Sequence, residues 1–194
     1  MVFDGFCALL RSNGCYLSCS FSMESPLMIV LADAILTYVP AYFGNMMPPI
    51  AGALKLPLGY AIAPTKLGRN KTYRGIYSGV IGGVLGSWLL WSLQWGWYGT
   101  QSLSLSIIAG GLMGFGALAG DAVKSGFKRW KNIPSGKPFV PFDQLDFILG
   151  GSLFAYIVMP IPWEILLTAL IITPLLHLLV NILAYHLKLK SVWW

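Results

Sequence analysis

The chain has 194 residues, of which 56% are hydrophobic and only 10% charged, with a net charge of +6 and a mean hydropathy of +0.68. Average soluble domains carry about 25% charged residues, so seven acids and thirteen basic residues cannot solvate a globule of this size. Composition therefore excludes an ordinary soluble enzyme, a disordered chain and, despite the basic balance, a nucleic-acid binder; it leaves an all-α, polytopic membrane protein.

Residues 1–23 hold all three cysteines, Cys7, Cys15 and Cys19. The stretch is patchily apolar and Asp4 precedes Arg11, so it lacks the basic start of a secretory signal. It is expected to be a dispensable extracytoplasmic leader, with Met23 as the functional start. Residues 24–194 are then expected to form a single transmembrane domain.

A helix needs roughly 20 apolar residues to cross about 30 Å of hydrocarbon. Five stretches qualify: about 26–45, 75–97, 103–120, 147–163 and 165–187. No alternating pattern suggests a barrel, so backbone satisfaction in lipid demands helices. The first span contains one acid, Asp33, expected to make a structural hydrogen bond. The fifth carries Pro174, His177 and Asn181. Spans two and three are glycine-rich, with Gly75, Gly79 and Gly83, Gly82 and Gly86, Gly110 and Gly114, and Gly116 and Gly120 each four apart. Small residues at that spacing let helix backbones approach closely.

The connections set the orientation. Lys55, Lys66, Arg69, Lys71 and Arg74 lie between spans one and two. Lys124, Lys128, Arg129, Lys131 and Lys137 lie between spans three and four, and Lys188 and Lys190 follow span five. The remaining segments hold only Arg11. The positive-inside rule puts the N-terminus outside and both basic loops and the C-terminus in the cytoplasm. The expected architecture is a five-helix transmembrane bundle.

Chemistry is expected in the two cytoplasmic loops. In the first, residues 68–75 read GRNKTYRG, with Asn70, Lys71, Thr72 and Arg74 just before span two. Amides at a helix start bind phosphate readily, although an ordinary basic flank reads the same way. In the second loop, Asp121, Lys124, Ser125 and Lys128 form one stripe at i, i+3, i+4, i+7 if span three continues as a helix. Arg129 lies beside it. This stripe suits a metal-bound anion; a solvated helix with an ion pair is the other reading. Asp143 and Asp146, three apart at the mouth of span four, repel unless a positive charge sits between them. A bound Mg²⁺ would supply it, and helix capping is the alternative. The loops contain no histidine and no cysteine, which argues against a covalent histidyl or cysteinyl intermediate.

Taken together, Gly120-Asp121-x-x-Lys124-Ser125-x-x-Lys128-Arg129 followed by Asp143-Gln144-x-Asp146 resembles the signature of membrane CTP-dependent cytidylyltransferases. It is most similar to the archaeal branch, the CDP-archaeol synthases. Pro40-Ala41-Tyr42 with Asn45 and Pro48, and Asn70-Lys71-Thr72-x-Arg74-Gly75, agree in order. The chain departs from that pattern at Trp130, where a basic residue is expected, and near Gly59, where an acid is expected and absent.

The resemblance implies transfer of CMP from CTP to an unsaturated archaetidic acid, an ether-lipid phosphate, in the cell membrane. Asp121, Asp143 and Asp146 would hold Mg²⁺, and Lys124, Lys128 and Arg129 would clamp phosphates. Ser125 and Gln144 would hydrogen-bond nucleotide or phosphate. Asn70, Lys71, Thr72 and Arg74 would close the other side. Asp121, Lys128, Asp143 and Asp146 would be the catalytic set. Rival classes are a small transporter, which would want facing polar groups at midplane, and an anionic-lipid-binding scaffold, which leaves the loop aspartates unexplained. A CDP-alcohol phosphotransferase would need a D-G-x-x-A-R segment, which is absent.

Overall fold

The computed structural model describes residues 26–68, 70–133, 139 and 142–186. The 1–23 segment with its cysteines, Arg69, Lys137, Lys188, Lys190 and the side chains of His177 and Asn181 lie outside that description.

The described residues are helical apart from turns and loops. The helices are α1 (Pro26–Ala53), α2 (Tyr73–Ser92), α3 (Gly96–Thr100), α4 (Leu103–Trp130), α5 (Phe142–Ala155) and α6 (Trp163–His186). α1 and α4 are each long and apolar enough to cross a membrane.

The bounds differ from the expected spans for local reasons. α1 runs on past residue 45 with Pro40, Pro48 and Pro49 inside it. Proline is tolerated in membrane helices because neighbouring groups re-satisfy the freed backbone. α2 stops at Ser92; Gln94 takes positive φ, and Gly96, also at positive φ, opens the single turn of α3. α4 continues past Gly120 without a break to Trp130. α5 ends at Ala155, about 21 Å from its start at 1.5 Å per residue, and turns follow it as far as Pro160 and Pro162. The residue before a proline is biased away from helical φ/ψ.

α1 packs on α2, α2 on α4 and α4 on α5, while α6 lies against α1 and α5. Glycine makes these contacts close. A Cβ at Gly83 would strike the Gly110 carbonyl, and one at Gly114 would strike the Gly79 carbonyl. Lipid is as apolar as leucine, so such van der Waals contact is a main source of helix association in a bilayer. The centre holds Tyr38, Tyr98, Met113 and Ile148, each fully buried. Their polar ends are satisfied: the Tyr98 hydroxyl donates to the Thr37 carbonyl at 3.1 Å, and Tyr38 shares a 2.5 Å hydrogen bond with Ser152. Ile81, Leu85, Trp88, Leu153, Ile171 and Leu179 point outward and exposed, as a lipid-facing surface requires.

Candidate active site

Three segments distant in sequence meet at one end of the bundle. The first is the loop before α2. It folds back on itself through an antiparallel bridge between Ala61 and Thr72. The Ile62 amide donates to the Lys71 carbonyl at 2.8 Å, and the Arg74 amide to the Leu58 carbonyl at 2.8 Å. Thr72 is the N-cap of α2, its hydroxyl accepting from the Gly75 amide at 3.1 Å. This backbone frame holds Lys71 so that its ammonium pairs with Asp121.

The second segment is the extension of α4. Its stripe forms as the spacing predicts, with Asp121, Lys124 and Lys128 turned toward one another and toward α5. The helix stops at a Schellman motif. Asn132 takes φ of 56°, its amide donates to the Arg129 carbonyl at 3.0 Å, and the Ile133 amide to the Lys128 carbonyl at 2.8 Å. Asparagine tolerates this left-handed position, so the helix ends before Pro134 is reached.

The third segment is the first turn of α5. A Cβ at Gly120 would collide with the Asp146 carbonyl, and one at Gly150 with the Gly116 carbonyl. That approach brings the α4 stripe to the α5 carboxylates. Lys124 Nζ lies 3.1 Å from Asp121, 3.0 Å from Asp143 and 2.7 Å from Asp146. Lys128 Nζ lies 3.4 Å from Asp143, and the Phe139 amide donates to Asp143 at 2.6 Å. The Lys124 and Asp146 side chains are only 14% and 7% exposed. Asp146 Oδ2 is buried, and the Lys124 ammonium is the partner that faces it.

Asp143 and Asp146 precede the apolar stretch of α5, and their environments push them apart. Burial raises Asp143, but Lys124, the Phe139 amide and Lys128 outweigh it and hold its carboxyl below the usual range. Burial dominates at Asp146 and pushes it up to about 6; Lys124 offsets this only in part, and the Asp121 charge adds to it. Desolvation disfavours the charged form of an acid, whereas an adjacent cation favours it.

The other residues singled out in the sequence lie around this cluster. Arg129 donates to the Ile133 carbonyl at 2.7 Å, closing the end of α4. Arg74 donates to the Leu56 carbonyl at 2.9 Å and lies against Gly59, so it staples the first loop and does not join the carboxylates. Ser125 and Gln144 are half-buried on the helices that carry the cluster, and Asn70 is exposed beside Lys71. Trp130 is 73% exposed and packs on Phe127, with Lys131 Nζ 5.3 Å from its ring and 5.7 Å from that of Phe127. Asp33 is half-buried on α1, and no hydrogen bond to it is found among the described residues.

Sequence reasoning did not find Phe139, whose amide is a peptide group and leaves no signal in side-chain patterns. Nor did it find the role of Lys124 as the cation common to all three aspartates. The three-residue spacing of Lys124 from Asp121 was visible; its distance from Asp143 and Asp146 was not.

An all-helical bundle with an apolar outer surface and a buried lysine–aspartate cluster at one end is a membrane protein with an ionic site suited to phosphate groups. The family of CarS-like CDP-archaeol synthases matches residues 27–194, and the chain belongs to it. It is 40% identical over 163 residues to a CDP-archaeol synthase of Thermococcus gammatolerans, covering 80% of this chain and 92% of that one. The Methanocaldococcus jannaschii CDP-archaeol synthase is 48% identical over 88 residues, 45% of this chain and 50% of that protein. A solved structure of an intramembrane enzyme for archaeal membrane lipids biosynthesis superposes with a TM-score of 0.65 at 28% identity, covering 77% of this chain and 92% of that one. The protein is a membrane-embedded transferase of lipid biosynthesis.

Proposed function

We propose that the chain transfers CMP from CTP to 2,3-bis-O-geranylgeranyl-glycerol 1-phosphate, giving CDP-archaeol and pyrophosphate. Support comes from the convergence of three carboxylates from two helices on one ammonium, flanked by Lys71 and Lys128, in a chain of this family. A lipid phosphate oxygen attacks the α-phosphorus of CTP. The new P–O bond forms as the bond from that phosphorus to the bridging oxygen breaks, and pyrophosphate leaves with the electron pair. The nucleophile is already anionic near pH 7, so no general base is required. The barrier is mostly repulsion between two polyanions, and catalysis is positioning plus charge neutralisation.

The carboxylates of Asp121, Asp143 and Asp146 offer the hard oxygen ligands that a divalent cation such as Mg²⁺ takes, but as they stand, paired to Lys124, they form no group among the described residues disposed to hold one. Lys71, Lys124, Lys128 and Arg129 bind phosphates; Ser125, Gln144, Asn70 and Thr72 line the nucleotide; Arg74 holds the loop that carries Lys71. Five crossings with the basic loops and the site on the cytoplasmic side complete the reading.

A pyrophosphate-release assay on purified protein in detergent tests it, with CTP, Mg²⁺ and the ether-lipid phosphate. Turnover should require the lipid, prefer CTP to ATP, and fall at least about 100-fold in Asp146→Asn, the scale for losing one preorganised charge-stabilising group. Folded protein that releases no pyrophosphate with any lipid phosphate would overturn the proposal.

A further inference from the structure

α4 is longer than the hydrocarbon of a bilayer. Its 28 residues rise about 42 Å, against about 30 Å of hydrocarbon and about 40–45 Å with both headgroup layers. The surplus shows at the ionic end. Lys71, just before α2 begins, pairs with Asp121, so the start of α2 is level with residue 121. From there to Trp130, α4 stands beyond α2 by about 13 Å at 1.5 Å per residue.

Standing in water, such an extension would be polar on its outer side. Instead Val123 and Trp130 are 74% and 73% exposed, and Phe127 is exposed between them. Together with Ile108 and Phe115, also exposed, they keep to one side of a 3.6-residue helix. The lipid-facing side of α4 therefore continues to its last residue. Asp121, Lys124 and Lys128 occupy the other side. α5 adds to the apolar ridge: the exposed Phe142 ring stacks on Phe139 at 4.8 Å, and Phe139 lies 6.0 Å from Phe127. Lys131 Nζ stands over the Trp130 and Phe127 rings at the tip.

We propose that this ridge, formed by Val123, Phe127, Trp130 and Phe142 with Lys131 at its tip, is seated in the headgroup layer of the leaflet on the ionic side. Its partner is the surface of an anionic lipid bilayer. Aromatic rings, tryptophan among them, concentrate in that layer because they are amphipathic. The lysine stem lies along the rings while its ammonium reaches lipid phosphates. In water the same ridge would be an uncovered apolar patch. A second copy of the chain could also cover it, but would not account for a helix as long as a bilayer with its headgroups. Trp130 stands where the cytidylyltransferase pattern carries a basic residue, so the largest ring of the ridge belongs to this chain and not to the pattern. The charged side of the same turns then stands at headgroup depth, and the phosphate of a membrane lipid comes level with Lys128 without leaving its leaflet.

The proposal rests on the membrane class of the fold and not on the reaction proposed above, so its test uses no substrate. In a background of Cys7→Ser, Cys15→Ser and Cys19→Ser, the single variants Phe115→Cys, Val123→Cys, Phe127→Cys and Trp130→Cys each carry a nitroxide in proteoliposomes of anionic phospholipid. Collision with oxygen is compared with collision with a water-soluble nickel chelate. The oxygen-to-nickel ratio should fall stepwise from residue 115 to residue 130 and stay several-fold above that of the same nitroxide in buffer. A ratio at 127 and 130 equal to that in buffer would put the ridge in water and overturn the proposal. Weak collision with both reagents at 123, 127 and 130 would mean that protein covers the ridge, and would overturn it too. In unaltered wild type, a photoactivated diazirine that partitions into the bilayer should tag Val123, Phe127 and Trp130 as well as Ile108. Tags at Ile108 with none beyond residue 120 would overturn the proposal with no variant having to fold.

Discussion

Asp146 and Asp143 sit one helical turn apart and titrate in opposite directions because one is sealed in and the other is surrounded by donors. Asp146 binds its proton more tightly in the folded than in the unfolded chain, pushed up to about 6 by burial. Stability from this group is therefore fully present below about pH 4 and lost as pH rises through 6. The melting temperature of wild type, measured in detergent with chelator present, should accordingly fall relative to Asp146→Asn between pH 4 and pH 7. A constant difference across that range would show that Asp146 has an ordinary acidity. Asp143, held low, works the other way: its contribution is present above the usual carboxylate range and lost as the medium is acidified. Thr72 illustrates a residue with two claims on it. Its hydroxyl caps α2, and Thr72→Ala should cost about 1 kcal/mol of stability, read in a denaturation curve, whatever it does to nucleotide affinity.

At the scale of the helix, the site depends on how closely α4 and α5 approach. Gly120 has its backbone against the Asp146 carbonyl, and Gly150 against Gly116 and Gly120. Gly120→Ala must push the helices apart. Overpacking of this kind costs about 1–3 kcal/mol, and the displacement acts on the ion pairs between Lys124 and the α5 carboxylates. The expected outcome is a lower melting temperature together with a loss of turnover larger than that of Gly111→Ala. An alanine at Gly111 would meet Val84 at an ordinary contact distance of 3.5 Å. Equal effects would mean that close approach at residue 120 is not what sets the site. The four-residue glycine spacing was legible in the sequence as a packing signal, but it did not say which seams they form. Gly110 and Gly114 face α2, while Gly116 and Gly120 face α5; that division follows from the helix rotation, which only the packed bundle fixes.

Across the whole molecule, a polar link ties α6 to α1. Tyr42 of α1 and Thr173 of α6 share a 2.8 Å hydrogen bond, and the Tyr42 ring lies against Phe147 of α5. Hydrogen bonds between membrane helices average about 0.6 kcal/mol. A double-mutant cycle of Tyr42→Phe and Thr173→Val should return a coupling of that size, and none would mean that apolar packing alone holds α6.

By itself, the sequence determined the class: hydropathy requires a helical membrane protein, because lipid leaves backbone groups no other partner. It also determined the Asp121–Lys124–Lys128 stripe, since a helix puts residues three and four apart on one face whatever surrounds it. What only the tertiary structure decided is which charges share a shell. Lys71 and Asp121 are 50 residues apart, and no periodicity relates them. Their pairing follows from a loop bridged at Ala61 and Thr72. The sharing of Lys124 follows from glycines that let two helices touch. Local patterning records which way a side chain faces; only packing brings two faces to the same point.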